Sequence, residues 1–192
     1  MSIKIHETAM VDADADIGAG SKIWHWSHIS TGAKVGCNVT IGQNVFIAPT
    51  VQVGDGCKIQ NNVSIFDGVI LEKNVFCGPS MVFTNVDNPR AFVNRKSEFK
   101  RTHIEQGVTL GANCTIICGV RLGAFSFVGA GAVVTKNVKP YALMVGVPAR
   151  QVGWVSEHGD TLELPVDGDG IATCKSTGKK FLLSGGRLRE DI

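Results

Sequence analysis

An apolar residue recurs at every sixth position along most of the chain. The first series runs from Ile5 to Phe83, and the first eleven of its fourteen members are all Ile or Val. A second series with the same step runs from Ile104 to Val134. A period of six is neither the 2 of a strand nor the 3.6 of a helix. It predicts short strands separated by turns, with three strands completing a triangular coil of about 18 residues.

Stacking such coils predicts an all-β fold, a parallel β-helix whose aliphatic residues point inward. The two series are out of phase, because the 21 positions from Phe83 to Ile104 are not a multiple of six. We therefore expect residues 84–103 to form one inserted loop. The repeat fades near residue 155, so the predicted β-helix domain is 1–155. Residues 156–192, with Asp-Gly-Asp-Gly at 167–170 as a turn, predict a C-terminal β-hairpin that covers the last coil or contacts a neighbouring subunit.

Composition and charge narrow the classes of function. The chain has 19 Lys and Arg against 17 Asp and Glu, and no block of like charge, so binding to nucleic acid is not indicated. No apolar run approaches the roughly 20 residues of a membrane span. The N-terminus lacks the features of a signal peptide, which predicts a cytoplasmic protein with its six cysteines reduced.

The six-residue pattern covers residues 5–150 and resembles the hexapeptide repeat of the left-handed parallel β-helix acyltransferases. The resemblance implies a left-handed coil, an exception to the usual right-handed crossover. It also implies a homotrimer with active sites between subunits, and acetyl-CoA as co-substrate.

Four segments resemble one group within that family more closely. They are IWHWSHI (23–29), QNNVSIFDGV (60–69), VFTNVDNPRA (82–91) and VVTKNVKPYALMVGVPARQVGWV (133–155). Together they are similar to the UDP-2-acetamido-3-amino-2,3-dideoxy-glucuronate N-acetyltransferases of bacterial surface polysaccharide (O-antigen, lipopolysaccharide) biosynthesis. The implied reaction moves acetyl from acetyl-CoA to the sugar 3-amino group. Two alternatives stay open: acetylation of a dTDP-linked 3-amino-6-deoxyhexose, and a non-catalytic scaffold that binds no acetyl-CoA.

The predicted catalytic residue is Asn85, at the loop position where many relatives in the superfamily have a histidine base. An amide is not a base, so the resemblance implies that Asn85 orients the attacking amine. His103 is the one histidine of the predicted loop and is a possible base. Alternatively, the departing thiolate takes the proton.

Residues 18 positions apart are expected to stack in columns, and polar columns suit a nucleotide-sugar. The candidate substrate-binding residues are Trp24, His25, Gln43, Asn61, Asn62, Asp67, Arg90 and Arg95. Asn and Asp also favour turns, which is our interpretation of Asn38, Asn44 and Asn74. For Asn61, Asn62 and Asp67 the turn and binding interpretations stay open. Arg95, through its side chain or its N–H, is the candidate for a substrate carboxylate.

The candidate acetyl-CoA residues lie in the last coils. They are Gly111, Gly129, Ala130, Lys136, Val147, Pro148 and Arg150. Gly111, Gly129 and Val147 are spaced by 18 and are expected to form one column along which a pantetheine arm approaches the backbone. Lys136 and Arg150 are candidates for its phosphates. No metal is expected, because no histidine occurs between His28 and His103 and only one cysteine follows residue 118.

Overall fold

A computed structural model describes residues 2–191. Three parallel sheets, one on each side of a triangular coil, form a left-handed parallel β-helix. The predicted fold class is confirmed. Two antiparallel units follow the last coil.

The strands of each sheet are as follows. The first sheet holds β1 (Lys4–Ile5), β4 (Lys22–Ile23), β7 (Thr40–Ile41), β10 (Lys58–Ile59), β13 (Phe76–Cys77), β16 (Thr109–Leu110), β19 (Phe127–Val128), β21 (Ala142–Val145), β22 (Arg150–Val155) and β23 (Thr161–Leu162). The second holds β2 (Met10–Val11), β5 (His28–Ile29), β8 (Phe46–Ile47), β11 (Ser64–Ile65), β14 (Val82–Phe83), β17 (Thr115–Ile116) and β20 (Val133–Val134). The third holds β3 (Asp16–Ile17), β6 (Lys34–Val35), β9 (Gln52–Val53), β12 (Val69–Leu71), β15 (Thr102–Ile104) and β18 (Arg121–Leu122). The C-terminal sheet holds β24 (Gly170–Thr173), β25 (Lys180–Ser184) and β26 (Arg187–Asp191). A 3-10 turn spans Lys96–Glu98.

The second residue of each two-residue strand points into the coil. Ile41, Ile47 and Ile59 are fully buried, and each stacks on its equivalent one coil away, as Ile41 does on Ile59. The small residues four positions later fill the corners. Ser27 is an example: its hydroxyl donates to the carbonyl of Gly42 at 2.7 Å. The six-residue pattern therefore specifies the core directly.

The turn interpretation of Asn38, Asn44 and Asn74 is confirmed. All three occupy corners with positive φ, between 55° and 58°. Asparagine tolerates this left-handed region better than most side chains, because its amide can bond locally.

The inserted loop is shorter than the sequence predicted. Thr102–Ile104 already forms β15 and pairs with Val69–Leu71, so the chain is back in the third sheet by residue 102. The expected boundary at residue 103 was therefore wrong, and His103 lies on a strand. The inserted loop adds 15 residues to its coil, because Ile104 pairs with Leu71 at a separation of 33 residues and a regular coil has 18.

The last coil is two residues shorter than a regular coil. Leu122 bridges to Val138 and Val128 pairs with Met144, both at a separation of 16. The column above Gly129 therefore continues to Val145 and not to Val147. The expected column of Gly111, Gly129 and Val147 was wrong at its last member.

The C-terminal extension is built from β strands, as predicted, but has more strands than a hairpin. β22 and β23 continue the first sheet in antiparallel fashion, and β24, β25 and β26 form a three-stranded meander. Residues 167–169 precede β24 and do not connect two paired strands, so the turn expected there was wrong. The hairpins turn at residues 174–179 and at Gly185–Gly186. Trp154 on β22 and Phe181 on β25 are fully buried.

Asp160 holds the first of these hairpin turns. The main-chain N–H of Ser176 donates to its carboxylate at 2.8 Å, and the Cys174 thiol and Ser176 hydroxyl donate at 3.2 and 3.0 Å. These bonds lower the pKa of Asp160 to about 2. A carboxyl with a depressed pKa stabilises the fold above its unfolded pKa, and the contribution is lost as the pH falls through the folded pKa.

We therefore expect the Ser176 amide to report a protonation near pH 2 in an NMR titration. Asp160→Asn should abolish that titration and flatten the melting temperature between pH 4 and 2. A wild-type titration at the ordinary aspartate value, near 3.8, would contradict this role for Asp160.

Candidate active site

Asn85 lies at the corner that follows the second sheet, where the inserted loop begins. It is half-buried, and the register of β11, β14 and β17 places it between Asp67 and Cys118 on the neighbouring coils. Coils are separated by about 4.8 Å, the spacing of paired strands. The predicted stacking of Asp67 and Asn85 is thus present, and Lys136 follows in the same column two coils above Asn85.

Contacts at the base of the loop fix the position of Asn85. Its carbonyl accepts the main-chain N–H of Lys100 at 2.9 Å, which closes the loop on itself. The Lys100 ammonium pairs with Asp87, and this ion pair lowers the pKa of the Asp87 carboxyl. Thr84 Oγ1 accepts the N–H of Cys118 at 2.9 Å. The amide side chain of Asn85 is therefore carried on a fixed backbone rather than on a free loop.

His103 lies on β15, in the same coil as Asn85. Its Nε2–H donates to Glu72 Oε1 at 2.6 Å, and Glu72 Oε2 accepts the N–H of Gln106 at 3.0 Å. The bond from His103 is the main cause that lowers the pKa of Glu72. Glu72 thus fixes the orientation of the imidazole, and its role as a base stays a prediction.

Two loop arginines predicted to bind substrate have protein partners. Arg95 Nη1 donates to both carboxylate oxygens of Glu98 at 2.9 Å, and its Nε is buried without a partner. Arg90 Nη1 donates to the carbonyl of Pro89 at 3.1 Å. Both line a loop cavity of about 500 Å³ beside Phe92. If the Arg95 side chain binds a substrate carboxylate, its guanidinium must bind that carboxylate and Glu98 together.

Side chains of the predicted substrate columns take part in corner hydrogen bonds. Asn61 Oδ1 accepts the N–H of Gln43 at 2.8 Å, and Asn44 Nδ2 donates to Asn62 Oδ1 at 3.0 Å. Asp67 Oδ1 accepts both the N–H and the hydroxyl of Thr50, at 3.1 and 2.9 Å. The turn interpretation accounts for these contacts, and the binding roles stay predictions.

Trp24 and His25 lie far from Asn85 of the same chain. They follow the first sheet, three coils below the coil of Asn85, which is roughly 14 Å along the axis. Gln43 and Asn61 continue the His25 column upward at the same corner. One chain therefore does not bring these residues and Asn85 into one site.

In the glycine column predicted for acetyl-CoA, the backbone that approaches Gly111 belongs to the next coil of the protein. A Cβ on Gly111 would lie 2.6 Å from the N of Ala130 and 2.7 Å from the carbonyl carbon of Gly129. Glycine is thus required at Gly111 by the approach of the next coil. Gly129 is less constrained, since the nearest atoms to its Cβ would be Val145 Cγ1 at 3.0 Å and the Met144 carbonyl oxygen at 3.4 Å.

Ala130 and Lys136 lie at the two corners that follow β19 and β20, and Val147, Pro148 and Arg150 lie beyond the last regular coil. Val147 is 72% exposed and precedes Pro148, and Arg150 Nη1 donates to the Ala149 carbonyl at 2.9 Å. The Ala149 N–H donates to the Val133 carbonyl at 2.8 Å, so this segment lies against the second sheet. Val133 is on β20, and the corner that begins with Thr135 and Lys136 follows that strand. Lys136 and Arg150 are exposed cations that fit the phosphates of a nucleotide.

Sequence reasoning missed the residues that close the loop, namely Thr84, Asp87 and Lys100. Their partners are set by the point at which the chain re-enters the third sheet, which the aliphatic pattern does not mark. In residues 2–191 the side chains of His, Cys, Asp and Glu nowhere gather in threes around a possible metal position. Within the same range no helix is long and apolar enough to cross a membrane.

Comparison with known proteins adds the family. The family model "Bacterial transferase hexapeptide (six repeats)" matches residues 32–67, and "Hexapeptide repeat of succinyl-transferase" matches residues 101–136. The hexapeptide-repeat acetyltransferase VCA0836 of Vibrio cholerae, solved with acetyl coenzyme A, is 30% identical with a TM-score of 0.51. That match covers 60% of this chain and 70% of the other. The chain belongs to the hexapeptide-repeat acetyltransferases.

Two further relatives match this chain over only part of their own length. Residues of the bifunctional protein GlmU of Thermotoga petrophila are 29% identical over 77% of this chain, but the match spans only 30% of GlmU. The dTDP-3-amino-3,6-dideoxy-alpha-D-galactopyranose 3-N-acetyltransferase of Aneurinibacillus thermoaerophilus is 37% identical over 49% of this chain and 47% of its own.

Proposed function

We propose that the chain is an acetyl-CoA-dependent N-acetyltransferase of nucleotide-linked amino sugars. Its substrate is a UDP-linked 2-acetamido-3-amino-2,3-dideoxy-glucuronic acid, and its site is cytoplasmic and serves surface-polysaccharide biosynthesis. The single observation that carries the proposal is the half-buried Asn85 at the fixed base of the inserted loop. An amide there can position an amine without protonating it.

The comparisons support the acetyl donor and the position of the amine. The Vibrio cholerae relative was solved with acetyl coenzyme A, and the Aneurinibacillus relative is named for acetylation of a sugar 3-amino group. Lys136 and Arg150 supply cations for the phosphates of the donor, toward the C-terminal end of the column that contains Asn85.

The chemistry needs little from the protein beyond orientation. A neutral 3-amino group attacks the thioester carbonyl, the N–C bond forms, the C–S bond breaks, and the amine proton ends on the departing sulfur. Asn85 Oδ1 accepts a hydrogen bond from the amine and aims its lone pair. Orientation of this kind contributes up to ~7–11 kcal/mol. The alternative acceptor of that proton is His103, which Glu72 holds in the same coil.

The proposal includes a homotrimer with sites between copies. Several apolar side chains of one copy are exposed, among them Phe92 at 88%, Val147 at 72% and Met10 at 60%. Exposure of this extent at the loop tip and along one face suits contact with a second copy. It also supplies a way for Trp24 and His25 of one chain to approach Asn85 of another.

A second candidate function is favoured by one observation. The Aneurinibacillus relative, whose name specifies a dTDP-linked 3-amino-3,6-dideoxy sugar, is 37% identical over its matched region. In that case the same reaction takes place on a dTDP-linked 3-amino-6-deoxyhexose, with no carboxylate for Arg95 to bind.

Thiol release from acetyl-CoA tests both candidates. We expect turnover with the UDP-linked 3-amino-uronic acid and at least tenfold lower kcat/KM with the dTDP-linked 3-amino-6-deoxyhexose, because a site built for a carboxylate loses that contact. The reverse preference would move the assignment to the second candidate. Absence of release with either acceptor, from folded protein, would overturn both and favour the scaffold.

A further inference from the structure

An ion pair joins the two ends of the inserted loop. Asp87 lies two residues after Asn85, and Lys100 lies two residues before Thr102, where β15 begins. The Lys100 ammonium donates to Asp87 Oδ2, and the Lys100 main-chain N–H donates to the carbonyl of Asn85 at 2.9 Å. Lys100 therefore holds the outgoing chain at two points, and one of them is the residue that carries the predicted catalytic amide.

Lys100 is itself seated between two coils of the β-helix. On the coil above, a Cβ on Gly119 would lie 3.1 Å from Lys100 Cδ and 3.5 Å from Lys100 Cβ. On the coil below, a Cβ on Gly68 would lie 3.3 Å from the Lys100 carbonyl oxygen. The two glycines have φ of 84° and 86°, and their lack of a side chain leaves room for the returning chain. The ion pair thus ties Asp87 to a residue that the rigid coils hold in place.

The other carboxylate oxygen of Asp87 bonds to the coil above. The Cys118 thiol donates to Asp87 Oδ1 at 3.5 Å, and the Cys118 main-chain N–H donates to Thr84 Oγ1 at 2.9 Å. Residues 84 and 87, on either side of Asn85, are therefore bonded to one residue of the next coil. The bond from Lys100 and the weaker one from Cys118 both lower the pKa of the Asp87 carboxyl. Asp87 is thus an anion at neutral pH.

Global stability does not account for the ion pair. The Lys100 and Asp87 side chains are 52% and 51% exposed, and exposed ion pairs contribute little to the free energy of unfolding. An exposed pair of the same kind joins Lys175 and Glu163 in the C-terminal extension. The Asp87–Lys100 pair differs from it in position, because it brackets Asn85. A reacting group must be held to within a fraction of an ångström, and Asn85 lies where the chain leaves the rigid coil.

We propose that Asp87 and Lys100 are a positioning pair that aims the Asn85 amide at the attacking amine. In this role neither side chain contacts the substrate, and both act through the backbone of Asn85. The bond from Lys100 to Asn85 is made by the main chain, so the direction of the amide depends on where that main chain is held. The inference rests on the proposed function for the role of Asn85, whereas the contacts around it do not.

Amide hydrogen exchange tests the positioning in the protein without substrate. Asp87→Asn removes the charged partner of the Lys100 ammonium and keeps the size of the side chain. We expect the Lys100 N–H, which is bonded to Asn85, to exchange about fivefold faster, the factor that one exposed ion pair can supply. The N–H of Glu105, which donates to Leu122 in the regular ladder, is the internal reference and should not change. An unchanged rate at Lys100 would overturn the proposal.

Kinetics separate positioning from stability and from substrate binding. Lys100→Met keeps the stem beside Gly119 and removes the charge, so the melting temperature should stay close to that of wild type. We expect kcat to fall about tenfold while KM for either substrate changes by less than about twofold. Lys100→Arg, which restores the charge, should recover most of the loss. Lys175→Met, the matched control from the exposed pair with Glu163, should keep wild-type kcat. A raised KM at unchanged kcat would make Lys100 a substrate-binding residue and overturn the proposal.

A double-mutant cycle with Asn85→Ala tests whether Lys100 acts through Asn85. In that case Lys100→Met lowers kcat about tenfold in the wild-type background and leaves it unchanged in the Asn85→Ala background. Equal losses in the two backgrounds would overturn the positioning role. Absence of activity in the wild-type protein would contradict the proposed function instead, and the exchange rate of the Lys100 N–H would still show whether the ion pair holds Asn85.

Discussion

Asn85→Ala lowers kcat by about 10²–10³ and leaves the fold intact, if the amide orients the amine. The magnitude is that of removing one oriented hydrogen-bonding group from a reaction centre. KM for acetyl-CoA should change little, because the donor phosphates are assigned to Lys136 and Arg150. The backbone of Asn85 keeps its bond to Lys100, so the melting temperature should stay within a few degrees of wild type. Single-turnover thiol release measures the chemical step.

Asn88→Ala is the matched control for this experiment. Asn88 is exposed in the same loop three residues away, and removal of its side chain should leave kcat unchanged. Asn85→Asp tests the effect of a negative charge at the same position. A carboxylate binds the protonated amine, so activity should recover only at higher pH, where the amine is neutral. If Asn85→Ala and Asn88→Ala are equally active, the amide plays no part in the chemical step.

The hexapeptide core could be predicted from sequence because each position carries its own signal. Ile41, Ile47 and Ile59 all point into the coil, and a one-residue slip in strand register would expose all three. The left-handed corners were equally visible, since Asn38 and Asn44 are residues that tolerate positive φ.

The end of the loop carried no such signal. Thr102 is fully buried in β15, yet it is polar, and His103 beside it suggested a loop. Re-entry is fixed by long-range pairing with Val69 and Ile70 and by the Asp87–Lys100 ion pair. Neither is a periodic feature of the sequence.

Val138 explains the error in the last coil. It stands four positions after Val134, where the small companion of a hexad is expected, but it takes the inward position opposite Leu122. An aliphatic residue fits both places, so the pattern alone does not choose.

Gly111→Ala is expected to destabilise the protein by about 1–3 kcal/mol or more, the range for overpacking a close contact. The added Cβ would lie 2.6 Å from a backbone N of the next coil, and backbone held in a parallel ladder cannot move aside as a side chain does. For a chain of this size the melting temperature should fall by roughly 2–12 °C. Urea unfolding with matched m-values measures the change.

Two glycines supply controls that separate packing from ligand approach. A Cβ on Gly153 meets no atom within 4 Å, so Gly153→Ala should keep wild-type stability. A Cβ on Gly129 meets the movable Val145 side chain, so Gly129→Ala should be mildly destabilising. If a pantetheine arm passes Gly129, that variant also raises KM for acetyl-CoA. Equal stability of Gly111→Ala and Gly153→Ala would contradict a backbone contact at Gly111.

Because each coil contacts only its neighbours, the strain at Gly111 falls directly on the coil that carries Gly129, Ala130 and Lys136. Stability and acetyl-CoA binding should therefore decline together in Gly111→Ala and separate in Gly129→Ala.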